Sequence, residues 1–274
     1  MAAPPGGGPP AAQAGTAAGS AAPAAGTLVT ASPPRTARPV LISVLGRLRI
    51  TACGQEIGGG LRKARELLAY LAVNPQGVTG EGIGEALWPE SSSRYAASQR
   101  HLAMRKAREM LRTATGLRAP MFIVLAAERY RLDPSLIEVD LWQFDAALDR
   151  AREAASGQDQ LAALRQAISL YQGPLSDGAT YEWAERHAEP ARRRAVDALA
   201  RTADILQPQD PEQALTTLET ALIHDPYNEA LYQKIMEIQS RLGRPDAARR
   251  TLALLESRLA AIGLAPSAVT RHSL

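Results

Sequence analysis

The period of apolar and polar positions changes several times along the chain. From Pro39, the run Val40–Leu45 reads as a strand, Arg47–Thr51 alternates as a half-exposed strand should, and Glu56-Ile57 reads as a short third strand before Gly58-Gly59-Gly60. The period then becomes helical. Leu61, Ala64, Leu67, Leu68 and Leu71 recur at i, i+3, i+4 spacing, which predicts a helix over 61–73 that ends at the turn-forming Asn74-Pro75-Gln76-Gly77. Thr79 is placed to cap a second helix that runs to Leu87 and stops at Trp88-Pro89. A third helix is predicted over 95–113, with Gly116 closing it, followed by strands at 121–125 and 130–132 about a turn at 126–129.

Beyond Val139 every periodic segment is helical, over 141–155, 158–172, 180–205, 210–223, 228–242 and 245–262, with Pro and Gly in the breaks. Pro211, Ala214 and Leu218 recur 34 residues later as Pro245, Ala248 and Leu252, the tetratricopeptide period, and 160–171 resembles a divergent earlier copy. The expected fold is therefore mainly α. A winged helix-turn-helix with a small N-terminal β-sheet and a wing is followed by an all-α, tetratricopeptide-like helical repeat domain. The expected divisions are a tail or linker at 1–39, the winged helix at 40–133 and the repeat domain at 134–274. The first of these is almost entirely Ala, Pro, Gly, Ser and Thr. It cannot bury enough apolar surface to offset chain entropy and is expected to be disordered.

Charge sharpens this division. Residues 40–133 hold fourteen Lys+Arg against eight Asp+Glu, whereas 134–274 hold fifteen against twenty. Only the first block is expected to meet a polyanion. On the third helix, Ala97, Ala103, Met104, Ala107, Met110 and Leu111 share one side, while Ser98, Leu102, Arg105, Glu109 and Arg112 share the other, flanked by His101, Lys106 and Arg108. A packed face opposite a cationic, short-polar face suits a helix in the major groove of double-stranded DNA. Ser98, Gln99 and His101 near its N-terminal end are the expected base readers, Leu102 is placed for a thymine methyl, and Arg105, Lys106 and Arg112 for guanine edges or phosphates. Arg129 at the wing and Arg62 and Lys63 at the first helix are candidate phosphate contacts. Arg100 falls within the apolar face and breaks the scheme.

Several chemistries find no support. The single cysteine, Cys53, allows no internal disulfide and no zinc pattern. P-loop, GxGxxG, HExxH and CxxC motifs are absent. His187, His224 and His272 stand without ligand partners nearby in sequence, and no apolar run nears the ~20 residues of a bilayer span. No enzyme activity, cofactor, metal or membrane contact is expected, and the setting is expected to be cytoplasmic and nucleoid-associated. Trp142, Trp183, Tyr171 and Tyr181 are expected to pack in the core of the repeat domain. A second reading stays open. The repeat domain would be a protein-interaction or ligand-sensing adaptor, and the winged helix would not bind DNA specifically.

The stretches 63–71, 85–90, 105–111 and 130–133 (KARELLAYL, EALWPE, RKAREML and YRLD) resemble the DNA-binding domain of the Streptomyces antibiotic regulatory protein family. Gly173-Pro174, Tyr181-Glu182-Trp183, His224-Asp225-Pro226, Glu229–Tyr232 and Gly243–Ala247 resemble the bacterial transcriptional activator domain that follows it in that family. The resemblance covers residues 40–270. It implies an OmpR-like winged helix that reads promoter direct repeats and a loop at 89–94 that touches RNA polymerase; an activator role and a homodimer on DNA are expected alongside. The family's pattern has an apolar residue where this chain has Arg100.

Overall fold

The chain is described from a computed structural model that covers residues 38–271. The expected tail, apart from its last two residues, and His272 lie outside the described residues. The first elements are β1 (Val40–Ser43), β2 (Gly46–Arg47), β3 (Arg49–Ala52) and β4 (Gln55–Glu56). Val40, Ile42, Ile50 and Ala52 are buried and their neighbours are not, as the alternation requires.

Three helices follow: α1 (Arg62–Ala72), α2 (Gly80–Leu87) and α3 (Ser93–Thr115). Thr79 caps α2 by accepting from the Gly82 amide at 3.1 Å. Ser92 caps α3, and Gly116, at φ 71°, ends it in the left-handed conformation that glycine tolerates. The helix thus begins two residues before the predicted Tyr95 and ends two after Thr113. The wing is the hairpin β6 (Ile123–Ala126) and β7 (Arg129–Leu132), to which β5 (Val78–Thr79) adds a third strand by pairing with β7. This is a winged helix with a small N-terminal sheet.

The remaining elements are β8 (Ile137–Val139), α4 (Asp140–Glu153), α5 (Gly157–Leu170), β9 (Leu175–Asp177), a 3-10 turn at Glu182–Ala184, α6 (Glu185–Leu206), α7 (Pro211–His224), α8 (Glu229–Arg241), α9 (Pro245–Ala260) and α10 (Ala268–Arg271). Neighbouring helices pack as α4 on α5, α6 on α7 and α8 on α9. The 34-residue repeat is physical. Pro211 and Pro245 each open a helix in its first turn, and Ala214 and Ala248, three residues on, are both buried.

Two strands correct the all-helical reading after residue 133. β8 pairs in parallel with β1 and completes the four-stranded sheet β4-β3-β1-β8, and β9 pairs in parallel with β2. Buried Asp140 fastens the same seam. Its carboxylate accepts from the amides of Val44 and Leu45, at 2.9 and 3.0 Å, and from its neighbour Leu141. Burial pushes its pKa up against these amide bonds, which pull it down. Trp142 Nε1 donates to the Ala72 carbonyl at the end of α1. One hydrophobic cluster consequently runs from Val40 to Ala195. A second cluster, between Val196 and Leu259, fills the later helix pairs.

Candidate nucleic-acid interface

The buried face of α3 consists of Ala96, Ala103, Met104, Ala107 and Leu111. The small alanines let the helix sit close to α1 and α2, and the cationic side turns outward. Ser98, His101, Arg105 and Lys106 are exposed, and Gln99, Leu102 and Arg112 are half-buried. Their side chains divide by what they touch. Arg94, Ser98, Gln99, His101 and Arg105 make no side-chain hydrogen bond or ion pair among the described residues, whereas Lys106 pairs with Glu109 at 2.9 Å.

The C-terminal half of α3 is tied to the wing. Arg108 Nη2 donates to the Ile123 carbonyl at 2.7 Å, and Arg112 Nη2 lies 3.5 Å from Met121 Sδ. Burial, and then the nearby Arg112 charge, pull the Arg108 pKa below its ordinary value. Between helix and wing lies a groove of about 610 Å³, lined by His101, Arg105, Arg108, Arg112, Met121 and Tyr130 among others.

Arg100 has a structural explanation. Its guanidinium lies over the Tyr130 ring, 5.8 Å from the centroid, and against Gly80 at the start of α2, where a Cβ would collide with it. Its Nε is buried without a partner. Arginine is therefore accommodated at an otherwise packed position because residue 80 has no side chain and a wing tyrosine offers its ring.

The other expected contacts lie apart from this groove. Arg129 opens β7 and donates to the Gly77 carbonyl at 3.1 Å, on the face of the ribbon opposite Tyr130. The tip between the strands, Ala127-Glu128, holds positive φ angles of 47° and 60°, the primed-turn geometry that matches strand twist. Lys63 is occupied within the protein: Nζ donates to the Leu87 carbonyl at 2.6 Å, pairs with Glu66 at 2.9 Å and lies over the Trp88 ring. Arg62 is exposed at the first turn of α1, within electrostatic reach of Tyr181. Sequence reasoning passed over Arg94, Tyr95 and Arg131, all of them exposed. Arg94 was missed because the predicted helix starts at Tyr95 and leaves Arg94 in the preceding loop. The alternation Arg129, Arg131 about Tyr130 was the available signal for the third.

The aromatic residues of the repeat domain pack, but much of that packing is against the winged helix. Trp183 stacks on Tyr181 at 5.3 Å, meets Tyr70 of α1 edge-on at 5.1 Å, and donates to Glu66 Oε1 at 3.4 Å. His224 meets Tyr171 edge-on at 5.0 Å, and burial lowers the pKa of both His224 and His187. Among the described residues, no cluster of His, Cys, Asp and Glu could hold a metal, and no helix is long and apolar enough to cross a membrane.

Residues 139–273 match the family model described as bacterial transcriptional activator domain. By structure, the chain is similar to Mycobacterium tuberculosis EmbR, solved in complex with a low affinity phosphopeptide, with a TM-score of 0.71 and 23% sequence identity. The alignment covers 86% of this chain and 64% of that one, so this chain spans less than two thirds of its structural relative. No curated protein matches the chain by sequence. A stretch similar to the bacterial transcriptional activator domain thus follows directly on a winged helix in this chain.

Proposed function

We propose that the chain binds duplex DNA in a sequence-specific manner and activates transcription, with residues 40–133 as the DNA-binding domain and 134–274 as the regulatory one. α3 enters the major groove, and the wing lies along the flanking backbone. The observation that carries this reading is the outer face of α3, where Arg94, Ser98, Gln99, His101 and Arg105 stand exposed or half-exposed without partners beside an open groove. Cations left without counter-charges are what a polyanion requires, because each phosphate contact releases counterions. Ser98, Gln99, His101 and Leu102 face the base edges, and Arg105, Lys106 and Arg112 reach guanine or phosphate. Arg129 contacts backbone from the wing. Arg62, exposed at the first turn of α1, contacts backbone, whereas Lys63, whose Nζ is already engaged by Leu87, Glu66 and Trp88, contributes little to DNA.

From the resemblance to the Streptomyces antibiotic regulatory protein family we infer direct-repeat operators and contact with RNA polymerase through residues 89–94, and we propose beside these a homodimer on DNA and a cytoplasmic, nucleoid-associated setting. The test is fluorescence anisotropy with a promoter fragment recovered by genome-wide DNA capture, set against the same fragment scrambled. Specific DNA should bind at least ~10³-fold more tightly, with log K falling linearly against log salt. Equal affinity for the two fragments would end the claim of sequence recognition.

A further inference from the structure

The seam between the winged helix and the activator domain holds a cleft of about 360 Å³ that the DNA-binding reading does not use. Its inner wall is the buried Trp183 with Tyr70 and the half-buried His187. Its rim is charged in an ordered way: Glu85 comes from α2, Glu182 from the 3-10 turn and Arg186 from the first turn of α6. None of these three side chains makes an ion pair or hydrogen bond among the described residues. Arg186 and Glu85 both lie close enough to act on the Tyr70 hydroxyl, in opposite senses. Unpaired charges of both signs thus flank an aromatic floor at a domain junction, where small-molecule sites preferentially form.

We infer that this cleft binds a small zwitterion of the free amino-acid class. Its ammonium is held by Glu85 and Glu182, its carboxylate by Arg186, and its side chain rests against Trp183 and Tyr70. A lone anion would meet two carboxylates and a lone cation the guanidinium, so only a ligand bearing both charges complements the rim. The location gives the site a route to the rest of the molecule. Trp183 donates to Glu66, Glu66 pairs with Lys63, and Lys63 donates to the Leu87 carbonyl at the end of α2, next to the loop that precedes α3. Occupancy that shifts Trp183 therefore acts on a continuous set of polar contacts ending at that loop.

The test reads ligand binding itself and is independent of whether the chain binds DNA. The full chain is titrated with each of the common L-amino acids up to about 1 mM, in the Kd range a small ligand reaches with a few contacts. Calorimetry and tryptophan fluorescence are the readouts. At least one amino acid should bind saturably and perturb the fluorescence. Arg186→Ala and Glu85→Gln, both at exposed side chains, should each weaken that binding at least ~10-fold. The matching amine and the matching acid, each lacking one charge, should be weaker by a similar factor. Absence of saturable binding by every amino acid overturns the inference, and so does binding that either variant leaves unchanged.

Discussion

α3 and α6 are the two longest helices among the described residues, at 23 and 22 residues, and both are rich in arginine. α3 carries six Lys+Arg and a single acid, Glu109, whereas α6 carries five Arg and four acids. On α6 the charges answer one another. Arg192 bonds Glu189 at 2.8 Å, Asp225 at 3.1 Å and the His224 carbonyl at 3.2 Å, Arg193 bonds Glu189 at 2.6 Å, and Arg194 pairs with Asp145 of α4. On α3 the inner arginines hold the wing, and the outer ones, Arg94 and Arg105, make no ion pair or hydrogen bond among the described residues. A count of arginines does not separate the two helices. The supply of counter-charge does, because a cation already satisfied by a carboxylate has little left to offer a phosphate.

The largest expected effect comes from giving α3 the counter-charge it lacks. Ser98→Glu sets a carboxylate one turn after Arg94 on the exposed face. DNA affinity measured by anisotropy should fall by about 3 kcal/mol, because a like charge now meets the phosphates. The thermal midpoint should barely move, since a new i,i+4 pair on a helix surface contributes about 0.2–0.5 kcal/mol. Unchanged affinity would mean that this face of α3 does not approach DNA. Next in size, Arg105→Ala should cost about 2 kcal/mol of DNA binding and relax specificity at one position, while Arg193→Ala on α6 should leave DNA binding as it was. Equal losses from the two substitutions would dissolve the contrast between the helices.

A smaller effect runs the other way, on stability rather than on DNA. Arg192→Ala removes a side chain that joins α6 to the C-terminal end of α7, and should lower stability by about 1 kcal/mol in urea unfolding. The same network has a pH signature. The Arg192 and Arg193 hydrogen bonds lower the Glu189 pKa to about 2 from its ordinary 4.5. A depressed carboxylate contributes its stability above its unfolded value and loses it as pH falls through the folded one. The contribution of Glu189 should therefore be complete above about pH 4.5 and gone near pH 2. Glu189→Gln should flatten that limb of the stability curve. An identical acid limb in the variant would show that the pairs form without stabilising α6.

Much of the helical framework was legible in the sequence, because the 3.6 period and the residues that cap or break helices are local features. Thr79, Gly116, Pro211 and Pro245 mark helix ends in the structure as they do in the chain. Strands β8 and β9 were not legible. Each has three residues, and each exists only through a partner more than 90 residues away, so neither has a local period to read. The role of Asp140 was hidden for the same reason, since its partners Val44 and Leu45 are set by the fold. Lys63 shows the limit within the candidate site. A cation at a helix start invites a phosphate contact, but the Leu87 carbonyl 24 residues on receives it first.

The smallest expected effect concerns Arg100, which the sequence marked as an anomaly without supplying its partner. The structure ties it to Gly80, and a double-mutant cycle isolates that tie. Gly80→Ala alone places a methyl against the guanidinium and displaces a flexible side-chain end from the Tyr130 ring, at an exposed-site cation–π loss of about 0.5–1 kcal/mol. Alanine's better helix propensity, about 1 kcal/mol over glycine in a helix interior and less at a first helical position, offsets part of that loss. The net change in the unfolding midpoint should be slight. In an Arg100→Ala background the collision is gone and only the propensity gain remains, so the same Gly80→Ala should become stabilising. A coupling of about 0.5 kcal/mol or more between the two sites is the expected reading. Strict additivity would mean that Gly80 is small for a reason unconnected with Arg100, and that the arginine in the packed face of α3 is held by Tyr130 alone.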